Sequence, residues 1–483
     1  MINNINLKNF KGFKNLEGID LKPITILCGT NSCGKSSIIQ SILALKQSME
    51  NKIQKIPLKL NGRYVKLGNF NNVVYQQKKE SMLLGFKYKL ERNRANQSSL
   101  RLIINNFKSF KDNFDYEIKN EIEFNNENNN TFIKKYKALL LKNGNEISSI
   151  ELKKIKKNKY QITPTNIKNN FVRNKNKTLN TEFTATVIFE GLMPKIIEIN
   201  SKNFGIEKII SIQEFFSLFS NSIKEEMDLI NYIGPLRKEP ARKYIYEEDN
   251  IMIGNKGENA PFIYALENDR DIKNYFHFDI INQQFKMVHS KKISEIIKEW
   301  FEIMNINGFS HKFDSGVISL NFNSNNSKET FVSIADVGFG ISQIFPILLE
   351  GIRMKKNSTL ILEQPEIHLH PKLEMNLADF FISLALSNKK LLVETHSENI
   401  INRLVRRVLE NPELKNMIGI YFLDNEKEGI DIKKVEVNPE TGTLNWPQGF
   451  FDQNANEQSL IIEAILKNRK NGEKNGKKKG FSF

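Results

Sequence analysis

Apolar residues recur along this chain with two different periods, and the changes of period mark its elements. Near the N-terminus "INNINLKNF" alternates, "PITILCG" is a short apolar run, and "SSIIQSILALKQSM" carries apolar residues at helical spacing. These read as strand, loop and helix over residues 1–50. Between 55 and 200 the alternating segments "MLLGFKYKLERN", "SLRLIINNF" and "EFTATVIFEGLM" predict antiparallel strands. The polar stretches "FNNENNNTFIKK" and "NIKNNFVRNKNKTLN" read as loops or mobile insertions. From 207 to 306 helical patterns dominate, as in "SIQEFFSLFSNSIKEEMDLI" and "KISEIIKEWFEIMNI". From 316 strands and helices alternate: "GVISLNF", "ETFVSIADVG", a helix from 340, "STLILE", a helix from 371, "KLLVET", a helix from 397, then "IGIYFLD". That alternation predicts a mainly parallel sheet with helices on both faces.

The simplest architecture is one α/β domain assembled from both chain ends. Its lobes are 1–54 and 311–450, with 55–310 inserted as a mixed β and helical region and 451–483 as a terminal helix and basic tail. No run of 18 apolar residues is present, which excludes a spanning helix by this criterion, and "MINNINLKNFKGF" lacks a signal peptide's apolar block. Cys28 and Cys33 make no disulfide framework. A cytosolic location without membrane contact is expected. The net charge of +16 favours a polyanionic partner such as DNA or RNA, although a Lys- and Asn-rich composition raises charge without any such role.

The strongest chemical signal is Gly29-Thr30-Asn31-Ser32-Cys33-Gly34-Lys35-Ser36, followed by Ser37. It matches G-x-x-x-x-G-K-[ST] between an apolar strand and an amphipathic helix. Gly29 and Gly34 let the backbone curl so that N–H groups face a phosphate, Lys35 neutralises the β and γ phosphates, and Ser36 would ligate Mg²⁺. The pattern predicts ATP as ligand. "STLILEQPEIHLHP" places Glu363 at the end of a buried strand, where it would hold the metal opposite Ser36. In "LLVETHSENII" a second such strand ends beside His396, which could sense a γ-phosphate or water. "DVGFGISQIFPILLEGI" puts Gly338 and Gly340, then Ser342 and Gln343, at another helix start.

This order of motifs resembles the ABC-type ATPases of the SMC, RecF and OLD group. More narrowly it is similar to bacterial OLD-like ATPases that carry "EQPEIHLHP", "YIGPLR" and "WPQGFFDQ". The resemblance implies a P-loop NTPase head of ABC/SMC type, with Walker A at 29–37, Walker B ending at Glu363 and a switch histidine at His396. It also implies a divergent signature over 338–343 that acts in trans, across a homodimer or larger assembly. Antiphage defence with a separately encoded nuclease or toxin is implied in the same way. Arg237, Lys238 and Arg242 in "NYIGPLRKEPARKYIY" are candidates for phosphate or partner contacts, whereas "GNKGENAP" suggests no mechanism.

Two features depart from the group's pattern. Gln364 stands where a water-polarising glutamate is common, and glutamine cannot accept a proton. Glu366 is then the expected base, with Gln364 and His396 handling the water, and hydrolysis is expected to be slow or conditional. The signature lacks a Ser-Gly-Gly run. The chain after His396 carries no Toprim-like acidic cluster. The competing readings are a non-hydrolysing ATP sensor that holds a toxin or nuclease silent and an SMC-like DNA repair ATPase. The latter is weakened by the lack of sustained heptads.

Overall fold

The computed structural model of the chain describes residues 1–50, 56–90, 116–168, 178–199, 206–245, 252–324, 327–337, 339–426, 429–438, 440–445 and most of 457–466. Gly338, the strand expected at "SLRLIINNF", the "WPQGFFDQ" motif and the basic tail lie outside the described residues.

Two sheets organise the molecule. A six-stranded sheet runs, in spatial order, Ile230–Ile233, Thr359–Glu363, Lys390–Glu394, Ile24–Gly29, Ile418–Glu426 and Gly429–Val435. Its first five strands are parallel and the last pairs antiparallel. The short apolar runs in the sequence are these strands because each is covered on both faces. Along Ile24–Gly29, Ile24, Ile26 and Cys28 enter one core while Leu27 enters the other. Leu360 and Leu362 likewise face away from Ile361, and Leu391 and Val393 away from Leu392. This is the α/β arrangement that the alternation predicted, with the phosphate-loop strand in the interior of the sheet.

The second sheet is antiparallel and nine-stranded, ordered Met193–Ile199, Phe183–Glu190, Lys159–Thr165, Asn145–Lys156, Asn130–Lys142, Tyr116–Glu127, Met82–Lys89, Ile2–Phe10 and Phe13–Asp20. Its last two strands come from the N-terminal segment, so the sheet crosses the expected boundary at residue 54. Helices Lys35–Met49 and Ile206–Asp228 contribute to the core beneath it. The other face of the parallel sheet is covered by Ile293–Ile303, Phe339–Arg353, Pro371–Leu386 and Glu398–Glu410.

Three sequence expectations are corrected. "FNNENNNTFIKK" is part of a long hairpin rather than a loop: Asn128 and Asn129 turn the chain with φ of 50° and 63°. Asparagine tolerates the left-handed conformation that a two-residue hairpin requires, so a polar run need not be a break. "GVISLNF" and "ETFVSIADVG" do not join the parallel sheet; they pair antiparallel in a small separate sheet. The span 207–306 also contains the hairpin Asp271–Asp279 with Gln284–Lys292, whose alternation the flanking helical patterns obscured.

Candidate nucleotide site

The loop from Gly29 to Lys35 is shaped by two glycines with distinct constraints. Gly29 has φ 141°, and a Cβ there would lie 2.1 Å from the main-chain oxygen of Leu423. Gly34, at φ 86°, ends the loop directly before helix Lys35–Met49, and its Cβ would meet Ile430 Cδ1 at 2.2 Å. Ser32 also sits at positive φ, 62°. The neighbouring strand steadies the loop: Thr30 Oγ1 donates to Asp424 at 3.3 Å and Asn425 Nδ2 to the Ser32 carbonyl at 3.4 Å. Sequence reading did not anticipate Asp424 or Asn425, whose only signal is their place at a strand end. Lys35 Nζ donates to the carbonyls of Thr30 (2.7 Å) and Gly29 (3.2 Å), which keeps its charge inside the loop. The left-handed residues Ser32 and Gly34 bring the loop to the N-terminus of helix Lys35–Met49, a position suited to an anion.

Three carboxylates gather where the parallel strands end. Glu363 and Glu394 are direct register partners on adjacent strands, and Glu394 also lies opposite Leu27. Ser36 Oγ donates to Glu394 Oε1 at 2.9 Å, whereas Glu363 Oε1 accepts from Tyr232 OH at 2.8 Å. The hydroxyl expected to face Glu363 is therefore engaged by a different acid. Glu366 Oε1 accepts the main-chain N–H of His396 at 2.7 Å. The second oxygens of Glu366 and Glu394 are buried without a hydrogen-bond partner. Glu394 was missed in the sequence, although "LLVE" repeats the pattern of "LILE", an apolar run ended by an acid.

Burial raises the proton affinity of all three acids, because a low-dielectric setting disfavours the charged form. For Glu394, burial and then the Glu363 charge push the pKa up to about 7, against the opposing Ser36 hydrogen bond and Lys35 charge. Glu363 is raised by burial, opposed by Tyr232 and Lys11; Glu366 is raised by burial, opposed chiefly by the His396 N–H. His396 is lowered by burial and by the Lys35 charge, which favours a neutral imidazole.

The turn after Glu363 is held in an unusual conformation. Gln364 has φ 45° and His368 φ 64°. The Gln364 N–H donates to the Glu394 carbonyl at 2.7 Å. Arg237, only 5% exposed, donates to the carbonyls of Glu363 (3.1 Å) and Gln364 (3.3 Å). Arg237 thus holds the acid-bearing turn in place. Burial lowers the Arg237 pKa to about 10, opposed by the Glu366 charge. Arg242 pairs at the surface with Asp336, 3.0 Å away.

"GNKGENAP" now has a structural role. Gly234 N–H donates to the Asn255 carbonyl (2.7 Å) and Lys238 N–H to the Lys256 carbonyl (2.9 Å), lacing this loop to the one that carries Arg237. Gly257, at φ 67°, lies against Pro346 of helix Phe339–Arg353. At the start of that helix a Cβ on Gly340 would come within 2.9 Å of the His368 carbonyl. Ser342 and Gln343 are 6% and 1% exposed, so little of either side chain reaches solvent. A cleft of about 690 Å³ is lined by these loops together with the helix start and the turn after Glu363, in part by Arg237, Lys238, Lys256, Gln343 and His368.

The donor set fits Mg²⁺. Ser36 supplies a hydroxyl, and Glu394 a buried carboxylate with an oxygen to spare. Among the described residues no three His, Cys, Asp or Glu side chains form a complete metal cage. Mg²⁺ suits such a partial set, since it keeps waters and takes phosphate oxygens from the nucleotide.

A match to the AAA ATPase domain family spans residues 1–401. No curated protein matches the chain. Among solved structures it is similar to an SMC head domain from Thermotoga maritima, at 11% identity over 90% of this chain and 99% of that one, with a TM-score of 0.39. An Smc head domain with an extended coiled coil, bound to the C-terminal domain of ScpA derived from Pyrococcus furiosus, aligns at 11% identity over 96% and 99%, with a TM-score of 0.38.

Proposed function

Because the chain belongs to the AAA ATPase domain family, we propose that it binds ATP with Mg²⁺ on the loop Gly29–Ser37 and hydrolyses it slowly or conditionally. The observation that carries this reading is the convergence of the Lys35–Ser36 loop with Glu363, Glu394 and Glu366 at one edge of the parallel sheet.

In this reading the loop N–H groups and Lys35 take the β and γ phosphates, while Ser36 and the adjacent carboxylates hold the ion. The ion, when bound, neutralises phosphate charge as it builds on the leaving oxygen. Water attacks the γ-phosphorus, the bond to the β–γ bridging oxygen breaks, and Glu366 accepts the water's proton. Burial raises its proton affinity, which strengthens it as a proton acceptor. Gln364 and neutral His396 orient the water without taking its proton. Glu366 is already tied to the His396 N–H, which supports a rate limited by rearrangement of the site.

The nucleotide state would then govern association with a second copy, DNA or RNA, or a separately encoded nuclease or toxin, in antiphage defence. Ser342 and Gln343 are buried, so Lys238 and Lys256 along the neighbouring cleft are better placed than they are to meet another copy. A non-hydrolysing sensor is the second reading, and Gln364 at the usual glutamate position favours it.

Two measurements on the purified chain test the proposal. Lys35→Ala is expected to weaken Mg-ATP binding by about 100-fold or more, a loss of roughly 3 kcal/mol in phosphate contact. In single-turnover hydrolysis, Glu366→Ala is expected to abolish cleavage while Gln364→Ala retains it. Binding without cleavage by the wild-type chain would instead establish the sensor reading.

A further inference from the structure

We infer that Glu394, the acid that ends strand Lys390–Glu394, is the carboxylate that meets the ion held by Ser36, a role for which the sequence pattern singles out Glu363. The inference rests on the proposed Mg-ATP site and assigns one of its metal-binding residues.

Four observations point the same way. Ser36 Oγ lies 2.9 Å from Glu394 Oε1, so this carboxylate already addresses the hydroxyl expected on the ion. Glu394 is 5% exposed, and its second oxygen is buried with no hydrogen-bond partner. A buried carboxylate oxygen left unpaired is costly, and coordination of a cation would satisfy it. Glu363, although it is the register partner of Glu394, is turned to Tyr232, whose hydroxyl donates to its Oε1 at 2.8 Å. The Gln364 N–H binds the Glu394 carbonyl at 2.7 Å, tying the Glu394 strand end to the turn that leads to Glu366. Glu363 with Tyr232 then acts beside the ion, placing its negative charge next to Glu394 without touching Ser36.

The test is equilibrium binding of a fluorescent ATP analogue with and without Mg²⁺, for the wild-type chain, Glu394→Gln and Glu363→Gln. Glutamine keeps an oxygen to accept the Ser36 hydrogen bond and removes only the anionic ligand. Glu394→Gln is expected to bind the metal-free nucleotide as tightly as wild type or more so, because one charge facing the phosphates is gone. Its gain in affinity on adding Mg²⁺ is expected to shrink by about tenfold or more, and the half-saturating Mg²⁺ concentration to rise correspondingly. Glu363→Gln is expected to lose less of that gain than Glu394→Gln. An unchanged Mg²⁺ gain in Glu394→Gln, or a loss confined to Glu363→Gln, overturns the inference and leaves the ATP site intact. Loss of metal-free binding as well in Glu394→Gln would make Glu394 a structural cap for Ser36 and equally overturns it. No nucleotide binding by the wild-type chain in either condition would overturn the ATP reading itself, and this assignment with it.

Discussion

Arg237 donates from both terminal guanidinium nitrogens to the main-chain carbonyl of Gln364, at 3.3 Å each, and one of them also reaches the carbonyl of Glu363 at 3.1 Å. A buried cation from the edge-strand loop therefore fixes the turn that carries the candidate base. Arg237→Ala would leave those carbonyls without their donor and remove a buried side chain from the turn. The expected cost is about 2–3 kcal/mol in urea unfolding, as for lost charge-assisted hydrogen bonds. Arg237→Lys should recover only part of it, since an ammonium cannot reproduce the planar fork.

Gln364 occupies the left-handed region at φ 45°, where a β-branched side chain is strained. Gln364→Val is expected to destabilise the fold by about 1–2 kcal/mol, while Gln364→Gly is expected to be nearly neutral. Thermal unfolding of the two variants, compared with Gln364→Ala, separates backbone strain from loss of the amide.

The two loop glycines should differ in tolerance. A methyl on Gly29 would run into the Leu423 main-chain oxygen, which belongs to the sheet, whereas one on Gly34 would meet the movable end of Ile430. Gly29→Ala is expected to lose ATP binding and more than about 3 kcal/mol of stability, with a smaller loss for Gly34→Ala. Isothermal titration and thermal melts report the two effects separately.

Glu394 also makes the stability of the nucleotide-free chain pH-dependent. Its folded pKa is pushed from 4.5 to about 7, so the folded state binds a proton more tightly than the unfolded chain. Stability from this group is present below the ordinary carboxylate range and falls as pH rises toward 7, then levels off. Glu394→Gln should flatten the melting-temperature profile over that window and raise stability near pH 8 by up to about 3 kcal/mol. An identical pH profile in wild type and variant would contradict the assignment of this slope to Glu394.

Much of the site was legible because local chemistry specifies it. The glycine spacing, the Lys35–Ser36 pair and the acid that ends "LILE" follow from what a phosphate loop and a strand end require. Where the reading failed, the decisive contacts join residues far apart in sequence. Ser36 meets Glu394, Tyr232 meets Glu363, and Arg237 meets Gln364. Each needs the strand order of the parallel sheet, which periodicity does not encode. The helical flanks of Asp271–Lys292 and the asparagines at 128 and 129 misled for a different reason: composition was read where backbone conformation decided.

By itself, then, the amino-acid sequence determined that a phosphate loop links an apolar strand to a helix and that an acid, Glu363, ends a second apolar strand. These features depend on glycine geometry, on period and on short-range spacing. Only the tertiary structure decided which acid faces which partner. Strands Thr359–Glu363 and Lys390–Glu394 lie side by side in register, so two chemically equivalent glutamates arrive together, and the surroundings separate them. Tyr232 takes one and Ser36 the other, because packing sets the direction of a side chain that spacing can only place at a strand end.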